Sequence, residues 1–223
     1  MTAQAEMRPK VIGLGAGGHA KVIIEALQEQ GDCELMGLLD VNPELHGQTV
    51  LGVPVLGSDD LIPQLLQKGI HHFFLGVGST GDTSLRQRLF LYALARGLEP
   101  INVIHPRAVV SPSAEIGRGA CILAAAVLNA DAHLGENVIV NTGAVIEHDC
   151  VIGAHVHVAT GACLAGGVSV GEGSHVGIGA SVRQAIRIGR NAIVGAGAVV
   201  LDDVPDRVTV AGVPARIIRK MQS

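Results

Sequence analysis

The chain has 223 residues, and its 16 Lys and Arg against 20 Asp and Glu give a formal net charge of −4. This balance offers no concentrated basic face and argues against nucleic acid as a partner. Hydrophobic residues make up 48% of the chain but aromatic residues 2%, and the 30 glycines follow no Gly-X-Y period. The composition therefore predicts a core of small and branched aliphatic side chains and excludes a collagen-like fold.

The chain carries no signal for export or membrane insertion in its sequence. Met1 to Lys10 lacks the apolar core of a signal peptide, and no apolar stretch approaches ~18 uninterrupted residues. We therefore expect a cytoplasmic protein without a membrane segment. In that reducing compartment, the cysteines are expected to be buried small side chains rather than disulfides or metal ligands, since no C-x-x-C pair occurs. They are Cys33, Cys121, Cys150 and Cys163.

Residues 10–103 alternate between strand and helix patterns. A short apolar run over 11–14 ends in glycines, and apolar residues at i, i+3 and i+4 predict a helix over 19–30. This β-α-β order predicts a parallel sheet and a Rossmann-like α/β domain over residues 1–103. Its remaining elements are predicted as strands over 34–40 and 73–77 and helices over 61–68 and 84–96.

A six-residue period replaces this pattern after residue 103. Every sixth residue from Ile104 to Val200 is Ile, Leu or Val, a small residue usually stands two positions earlier, and Gly often follows. Such a period is typical of a hexapeptide solenoid, in which three short strands form one triangular coil of ~18 residues. We predict a left-handed parallel β-helix over residues 104–205, followed by a C-terminal tail over 206–223.

The order of short motifs resembles a known family, the hexapeptide-repeat acyltransferases. The match is to the subgroup that N-acetylates nucleotide-linked amino sugars, such as UDP-4-amino-sugar and GDP-perosamine N-acetyltransferases, with related sialic acid O-acetyltransferases. The resemblance implies a homotrimer with acetyl-CoA lying between adjacent β-helices. The motifs are Gly-Ala-Gly-Gly-His at 15–19, Asn-Thr at 141–142, Ile-Glu-His-Asp-Cys at 146–150, His157, Leu-Ala-Gly-Gly at 164–167 and Ala-Gly-Val-Pro-Ala at 211–215.

Acyl transfer from a thioester requires a base and donors for the oxyanion. His148 stands two residues after the inward Ile146, so it is expected to project outward. Asp149 or Glu147 beside it would orient the imidazole and raise its basicity. The resemblance implies that His148 is the general base and Asp149 its modulator. The alternative is a solvated surface histidine.

Coenzyme contacts are implied by the resemblance at four positions. His157 is expected to contact acetyl-CoA, and the backbone N–H of Gly166 to face the thioester carbonyl. Ile178 and Ala196 match further coenzyme-contact positions. His175 lies 18 residues after His157 and is expected to stack on the same edge, but it belongs to no motif and is interpreted as a surface histidine.

The glycines at 13, 15 and 18, with Asp40 ending the next strand, formally match the dinucleotide fingerprint. Alone this motif would suggest NAD, but the domain is short and lacks an evident second half. Glycines allow a backbone to approach phosphate at a helix N-terminus, and the alternative is a tight βα turn without a ligand. The resemblance implies a sugar nucleotide held by Gly17, Gly18, His19 and Asn141, with Asp40 and Gly78 near its nucleoside.

The sequence departs from its relatives at two places. Some relatives carry two acidic residues where this chain has Asp40 and Val41, which leaves uridine and guanosine both open. Many relatives carry a Pro-Gly corner at the segment that begins with Arg183 here. Arg183, Arg187 and Arg190 cluster in this region and either receive the CoA phosphates or form a solvated basic edge.

A zinc site is the alternative reading of the histidines. Related hexapeptide-repeat carbonic anhydrases bind zinc through histidines across a subunit interface. The short H-x4-H pair expected of those enzymes is missing, so we predict no metal. The candidates would have been His133, His148, His155, His157 and His175.

The combined prediction is an acetyl-CoA-dependent N-acetyltransferase acting on the amino group of a UDP- or GDP-linked 4-amino-4,6-dideoxy sugar. The alternatives are O-acetylation of a sialic acid-type sugar and a non-catalytic trimer that binds nucleotide sugars.

Overall fold

The structure is a computed structural model that describes residues 8–220. Predictions for residues 1–7 and 221–223 lie outside the described residues. These include most of the segment judged to lack a signal peptide and the outer ends of the first domain and of the tail. Between residues 8 and 220, no helix has the length and apolar character needed to cross a membrane.

The N-terminal domain is a six-stranded sheet with helices packed against it. The strand order is β3-β4-β2-β1-β5-β6, and all neighbours are parallel except the β3–β4 pair. Short 3₁₀ turns occupy Pro43–Leu45 and Asp59–Leu61. The strands are β1 Lys10–Leu14, β2 Glu34–Leu39, β3 Thr49–Val50, β4 Val53–Gly57, β5 His72–Leu75 and β6 Glu99–Pro100, and the helices are α1 Gly18–Gln30, α2 Ile62–Gln67 and α3 Ser84–Ala95.

Helix α1 connects the core of this domain to the solenoid. Its apolar side chains at Ile23, Ile24 and Leu27 are buried, as the i, i+3, i+4 spacing predicts. They belong to one apolar cluster that also contains Val103 and Ile139 of the solenoid. Because this cluster is continuous across the junction, the two parts pack as one apolar interface and hold the ends of β1 and β5 close to the solenoid.

The solenoid consists of seventeen two-residue strands, which pair in parallel with the strands one coil, or 18 residues, before or after them. The aliphatic residue of each hexad points inward, so the core is a stack of Val, Ile and Leu lined by Ala. The predicted fold class, a Rossmann-like domain followed by a left-handed parallel β-helix, is confirmed.

The strands form three parallel sheets, one for each face of the triangular coil. We call the face against the N-terminal domain the junction sheet and the other two the second and third sheets. The junction sheet contains β7 Val103–Ile104, β10 Cys121–Ile122, β13 Ile139–Val140, β16 His157–Val158, β19 His175–Val176 and β22 Ile193–Val194. The second contains β8 Val109–Val110, β11 Val127–Leu128, β14 Val145–Ile146, β17 Cys163–Leu164, β20 Ser181–Val182 and β23 Val199–Val200, and the third β9 Glu115–Ile116, β12 His133–Leu134, β15 Val151–Ile152, β18 Ser169–Val170 and β21 Arg187–Ile188.

The chain turns three corners in each coil, and these corners carry the polar residues of interest. We call the corner from the junction sheet to the second sheet corner A, and the corner from the second to the third sheet corner B. Many corners contain a residue with positive φ, such as Gly167 with φ 69° or Asp149 with φ 60°. Glycine adopts this conformation without strain, which explains its frequency in the repeat.

The predicted tail over 206–223 contributes to the solenoid. Strand β24 Val208–Ala211 pairs in parallel with β22 of the junction sheet, and β25 Arg216–Lys220 pairs antiparallel with β24. These two strands end the junction sheet at its last coil.

Candidate active site

The glycine turn between β1 and α1 leaves open space at the start of the helix. A Cβ on Gly15, which has φ +97°, would lie 2.5 Å from Val77, so the protein itself requires glycine there. Gly17 and Gly18 are different, because a Cβ on either would meet nothing within 4 Å. Gly17 caps α1 with no side-chain hydrogen bond, so the first amides of the helix are free to receive an anion.

Asp40 is tied to this turn. Its Oδ2 accepts a hydrogen bond from the backbone N–H of Ala16 at 2.8 Å, and its Oδ1 accepts from Asn42 N–H at 2.9 Å. The carboxylate that the fingerprint places at the end of β2 therefore lies beside the glycine turn and fixes its shape.

A cavity of about 660 Å³ lies between this turn and corner A of the solenoid. Its walls come from both parts of the chain, including the loop 78–81 that follows β5. The cavity brings predicted substrate and coenzyme residues together in one space. These are Gly18, His19, Gly78, Asn141, His157, Ile178 and Ala196.

His19 lies in the wall of this cavity with its ring against Gly78. A Cβ on Gly78 would lie 3.4 Å from the ring, so a larger residue would press on the imidazole. Burial, with a smaller contribution from the positive charge of Arg86, lowers the pKa of His19 to about 4. Its Nε2 is buried and has no hydrogen-bond partner among residues 8–220. His19 is therefore a neutral imidazole with an unused polar atom at the cavity.

His157 is held on both sides by hydrogen bonds. Its Nδ1 lies 2.9 Å from the carbonyl oxygen of Ser79, and its Nε2 lies 3.0 Å from Nδ2 of Asn141. Burial, followed by the neighbouring His175 and His19, lowers its pKa to about 3. The ring is therefore uncharged at neutral pH.

The interpretation of His175 as a surface histidine is wrong. The residue is 8% exposed, lines the cavity and packs edge to face on His157 with ring centroids 4.9 Å apart. The N-terminal domain covers the junction sheet at this level, which the repeat pattern alone does not reveal. The 18-residue spacing from His157 was the sequence signal that could have placed His175 at the site. Ser79, which hydrogen-bonds His157, belongs to no motif and gave no such signal.

His148 and Asp149 lie elsewhere, at corner B after β14. Nδ1 of His148 is 2.7 Å from Oδ2 of Asp149, and the two side chains are 62% and 66% exposed. Glu147 bonds the backbone N–H of His148, so Asp149 is the partner of the imidazole. The hydrogen bond to Asp149 is the main cause that raises the pKa of His148.

Gly166 lies one coil after His148 on the same corner. A Cβ on Gly166 would lie 2.5 Å from Nε2 of His148. The neighbouring Gly167 N–H donates to the carbonyl of His148 at 2.8 Å, whereas the Gly166 N–H has no acceptor within residues 8–220. The basic imidazole nitrogen therefore lies against the residue whose amide donor is unused.

The two groups of predicted residues do not meet within one chain. His148, Asp149 and Gly166 are absent from the cavity walls, since they lie on corner B and the cavity lies on corner A. Gly17 and Asp40 also lie outside the lining, although both adjoin it through the glycine turn.

The arginine cluster is divided between two places. Arg183 follows β20 and lies on corner B, the corner that carries His148. Arg187 and Arg190 line a separate groove on the third sheet, and their backbone N–H groups donate to Asp203 and Asp206.

The remaining histidines and cysteines form no metal centre. No group of three or more His, Cys, Asp or Glu suited to a metal ion occurs among residues 8–220. The four cysteines are free thiols, and the expectation of burial holds for Cys121 and Cys150 but not for Cys33, which is half-buried, or for Cys163, which is exposed on the outer face of the second sheet.

Two family descriptions match the chain. Residues 10–92 match the PglD N-terminal domain, and residues 131–166 match the bacterial transferase hexapeptide with its six repeats. PerB from Caulobacter crescentus, solved in complex with CoA and GDP-perosamine, is 45% identical with a TM-score of 0.87, over 93% of this chain and 96% of PerB. The chain belongs to the hexapeptide-repeat N-acetyltransferases of nucleotide-linked amino sugars.

Two further relatives are also similar to this chain. The acetyltransferase domain of PglB from Neisseria gonorrhoeae FA1090, in complex with acetyl coenzyme A, is 38% identical with a TM-score of 0.86, over 95% of this chain and all of that one. UDP-N-acetylbacillosamine N-acetyltransferase of Bacillus subtilis (strain 168) is 44% identical over 117 residues, 50% of this chain and 50% of that protein. This last match spans about half the length of the curated relative. The predicted resemblance is confirmed.

Proposed function

We propose that the protein transfers the acetyl group of acetyl-CoA to the amino group of a nucleotide-linked 4-amino-4,6-dideoxy sugar. The observation that carries this proposal is the contact between His148 and Gly166. A base with a raised pKa and a free amide donor at one point are the two groups that acyl transfer from a thioester requires. The free helix amides beside Gly17 supply a place for the diphosphate of the sugar nucleotide.

In the proposed reaction, the neutral amine attacks the thioester carbonyl carbon directly. The C–N bond forms, and negative charge develops on the carbonyl oxygen, where the Gly166 N–H stabilises it. His148 accepts the proton from the amine nitrogen, with Asp149 stabilising the resulting imidazolium. Collapse of the tetrahedral intermediate breaks the C–S bond, and the proton on His148 passes to the departing thiolate. The products are the amide and CoA thiol.

This mechanism requires more than one copy of the chain. Corner B with His148 and corner A with the cavity are on different edges of one solenoid, so a second copy is needed to bring them together. We propose a homotrimer, because three solenoids in a closed ring place corner B of each chain beside corner A of the next. In this arrangement acetyl-CoA lies between neighbouring chains, along Ile178 and Ala196.

Each part of the chain has its own proposed role. Residues 1–103 are proposed to bind the sugar nucleotide, residues 104–205 to perform the acyl transfer, and residues 206–223 to end the solenoid.

The proposed compartment is the cytoplasm, where acetyl-CoA and nucleotide sugars are both present. An N-acetylated nucleotide sugar is a donor for glycosyl transfer, which fits polysaccharide biosynthesis. No metal takes part in the proposed mechanism.

The test is release of CoA thiol from acetyl-CoA with UDP- and GDP-linked amino sugars as acceptors, followed by mass analysis of the product. Thiol release that depends on the amino sugar supports acetyl transfer. The product should be about 42 mass units heavier than the acceptor, because an acetyl group replaces one hydrogen. A product that is stable to hydroxylamine supports N-acetylation. A hydroxylamine-labile product would instead identify an O-acetyltransferase. Binding without thiol release would identify a non-catalytic binding protein.

A further inference from the structure

Ser79 and His157 meet across the junction between the two domains. Ser79 belongs to the loop after β5, and His157 to strand β16. The Nδ1 atom of His157 lies 2.9 Å from the Ser79 carbonyl oxygen and 2.8 Å from its Oγ. Because a carbonyl oxygen only accepts hydrogen bonds, this contact places the proton of the neutral imidazole on Nδ1.

The opposite edge of the ring leads to the same tautomer independently. Nε2 of His157 lies 3.0 Å from Nδ2 of Asn141. The orientation of this amide is fixed, because Oδ1 of Asn141 accepts from the backbone N–H of Thr142 at 2.8 Å. The Asn141 NH₂ group therefore donates to Nε2, which must carry a lone pair.

A buried arginine holds the loop that carries Ser79. Arg86 of α3 is 2% exposed, and its Nη1 donates to the carbonyls of Leu75 and Val77 at 3.1 and 2.7 Å. Its Nη2 lies 3.6 Å from the sulfur of Cys121 in the solenoid. No carboxylate pairs with Arg86 among residues 8–220. Its guanidinium therefore donates to the backbone carbonyls of Leu75 and Val77 and contacts Cys121 of the solenoid.

We propose that Ser79, held in place by Arg86, is a positioning residue that fixes His157 as its Nδ1–H tautomer, so that Nε2 of His157 holds the amino end of the Asn141 amide while Thr142 holds its oxygen. With one N–H given to His157 and its oxygen given to Thr142, Asn141 keeps one amide N–H for an oxygen acceptor of the ligand in the cavity. His157 thus acts on the ligand through Asn141. Through Ser79 and Arg86, the N-terminal domain in this way positions the amide donor of Asn141 on the solenoid.

The proposal rests on the proposed function only for the identity of the ligand, and its first test needs no activity. The full chain labelled with ¹⁵N-histidine is studied by two-bond ¹H–¹⁵N correlation at neutral pH, and the His157 signals are assigned by their loss in His157→Gln. The expected spectrum shows a protonated Nδ1 and an unprotonated Nε2. An Nε2–H tautomer or a cationic ring at His157 overturns the proposal, whatever the enzyme assay gives.

Three variants and one control variant test the cause of the tautomer. Arg86→Lys keeps the charge but cannot hold both carbonyls, so a mixture of tautomers at His157 is expected, whereas Arg88→Met on the exposed side of the same helix should leave the spectrum unchanged. Ser79→Ala retains the carbonyl and should retain the Nδ1–H tautomer. Asn141→Asp replaces the donor by an acceptor, so Nε2 should become protonated as well, while the Ser79 carbonyl keeps the proton on Nδ1.

These variants also separate positioning from a purely structural role. Arg86→Lys and Asn141→Asp should raise the KM of the ligand that Asn141 contacts by about fivefold to tenfold, the effect of one hydrogen bond, with a smaller change in kcat. Because Arg86 is buried and its variant risks misfolding, the Asn141→Asp spectrum is the second, independent test. An Nε2 that stays unprotonated in Asn141→Asp, or a wild-type tautomer in folded Arg86→Lys, overturns the proposal.

Discussion

The imidazole of His148 lies against the backbone of Gly166 one coil later, so close that a Cβ on Gly166 would stand 2.5 Å from Nε2. This contact gives the glycine a steric reason that is separate from its N–H. Gly166→Ala is expected to displace the imidazole and lower kcat by on the order of 10²-fold, since a misplaced base loses most of its effect.

A double-mutant cycle checks that prediction. Gly166→Ala combined with His148→Ala should be no slower than His148→Ala alone, because the displaced group is already missing. Additive losses would mean that Gly166 acts independently of His148, through its amide or through the fold. Unchanged unfolding temperature in both single variants serves as the control, since His148 is exposed and its truncation leaves no core cavity.

The solenoid could be predicted from the sequence because its six-residue period corresponds directly to the geometry of the coil. One inward aliphatic per hexad and strands stacked 18 residues apart fix the coil, and with it the outward projection of His148. The burial of His175 was not predictable, because it depends on where the N-terminal domain lies against the junction sheet. The separation of His148 from His157 follows from the same period, because nine residues are half a coil, but only the three-dimensional structure shows that the side of the coil with His157 is the one that faces the glycine turn.

Asp149→Asn is expected to move the acidic limb of the pH–rate profile toward lower pH. Asp149 raises the pKa of His148 in the wild type, so the base becomes protonated, and activity falls, at a higher pH than for an unperturbed histidine. Removing the charge lowers the pKa again, while the weaker base reduces the rate at high pH. The measurement is kcat/KM from pH 5 to 9.

His148→Ala should lose the acidic limb of this profile altogether and lower kcat by about 10²- to 10⁴-fold. A limb that persists in His148→Ala would place the base elsewhere.

Gly17→Val is expected to weaken sugar-nucleotide binding without disturbing the fold. A Cβ at this position meets nothing within 4 Å, and φ is −81°, so valine is accepted by the protein. Its branched side chain would occupy the space in front of the helix amides, and KM for the sugar nucleotide should rise at least about tenfold. Calorimetry with acetyl-CoA is the control, since its affinity should be unchanged. Loss of acetyl-CoA affinity instead would contradict the assignment of the glycine turn.

The buried histidines predict lower stability at acid pH. In the folded chain the pKa of His19 is about 4 and that of His157 about 3, both lowered chiefly by burial. The unfolded chain therefore binds more protons below about pH 6.5, so stability falls as pH decreases from there toward the folded pKa values, by up to about 1.4 kcal/mol per pH unit for each histidine. Urea unfolding at pH 7.5, 6 and 5 measures this slope. His157→Gln should reduce the slope, whereas the variant of exposed His46, His46→Gln, should not. A stability that is flat from pH 7.5 to 5 would contradict the burial of both rings.

Activity is expected to be restored when two inactive variants are mixed before assembly. His148→Ala removes the base from corner B, and Ile178→Glu places a charge in the cavity at corner A, where Ile178 is 62% exposed and its replacement costs the fold little. If each active site combines corner B of one chain with corner A of the next, an interface between the two variants contains both intact surfaces. In a closed ring of three, every mixed trimer contains one intact interface, so the purified mixed trimers are expected to show about a third of wild-type activity although each variant is inactive alone. The experiment uses co-expression with two different affinity tags and tandem purification of mixed oligomers, and mixing of the separately assembled variants is the control that should stay inactive. Mixed oligomers without activity, or a stable monomer by light scattering at micromolar concentration, would show that both corners act within one chain and would remove the shared site from the mechanism.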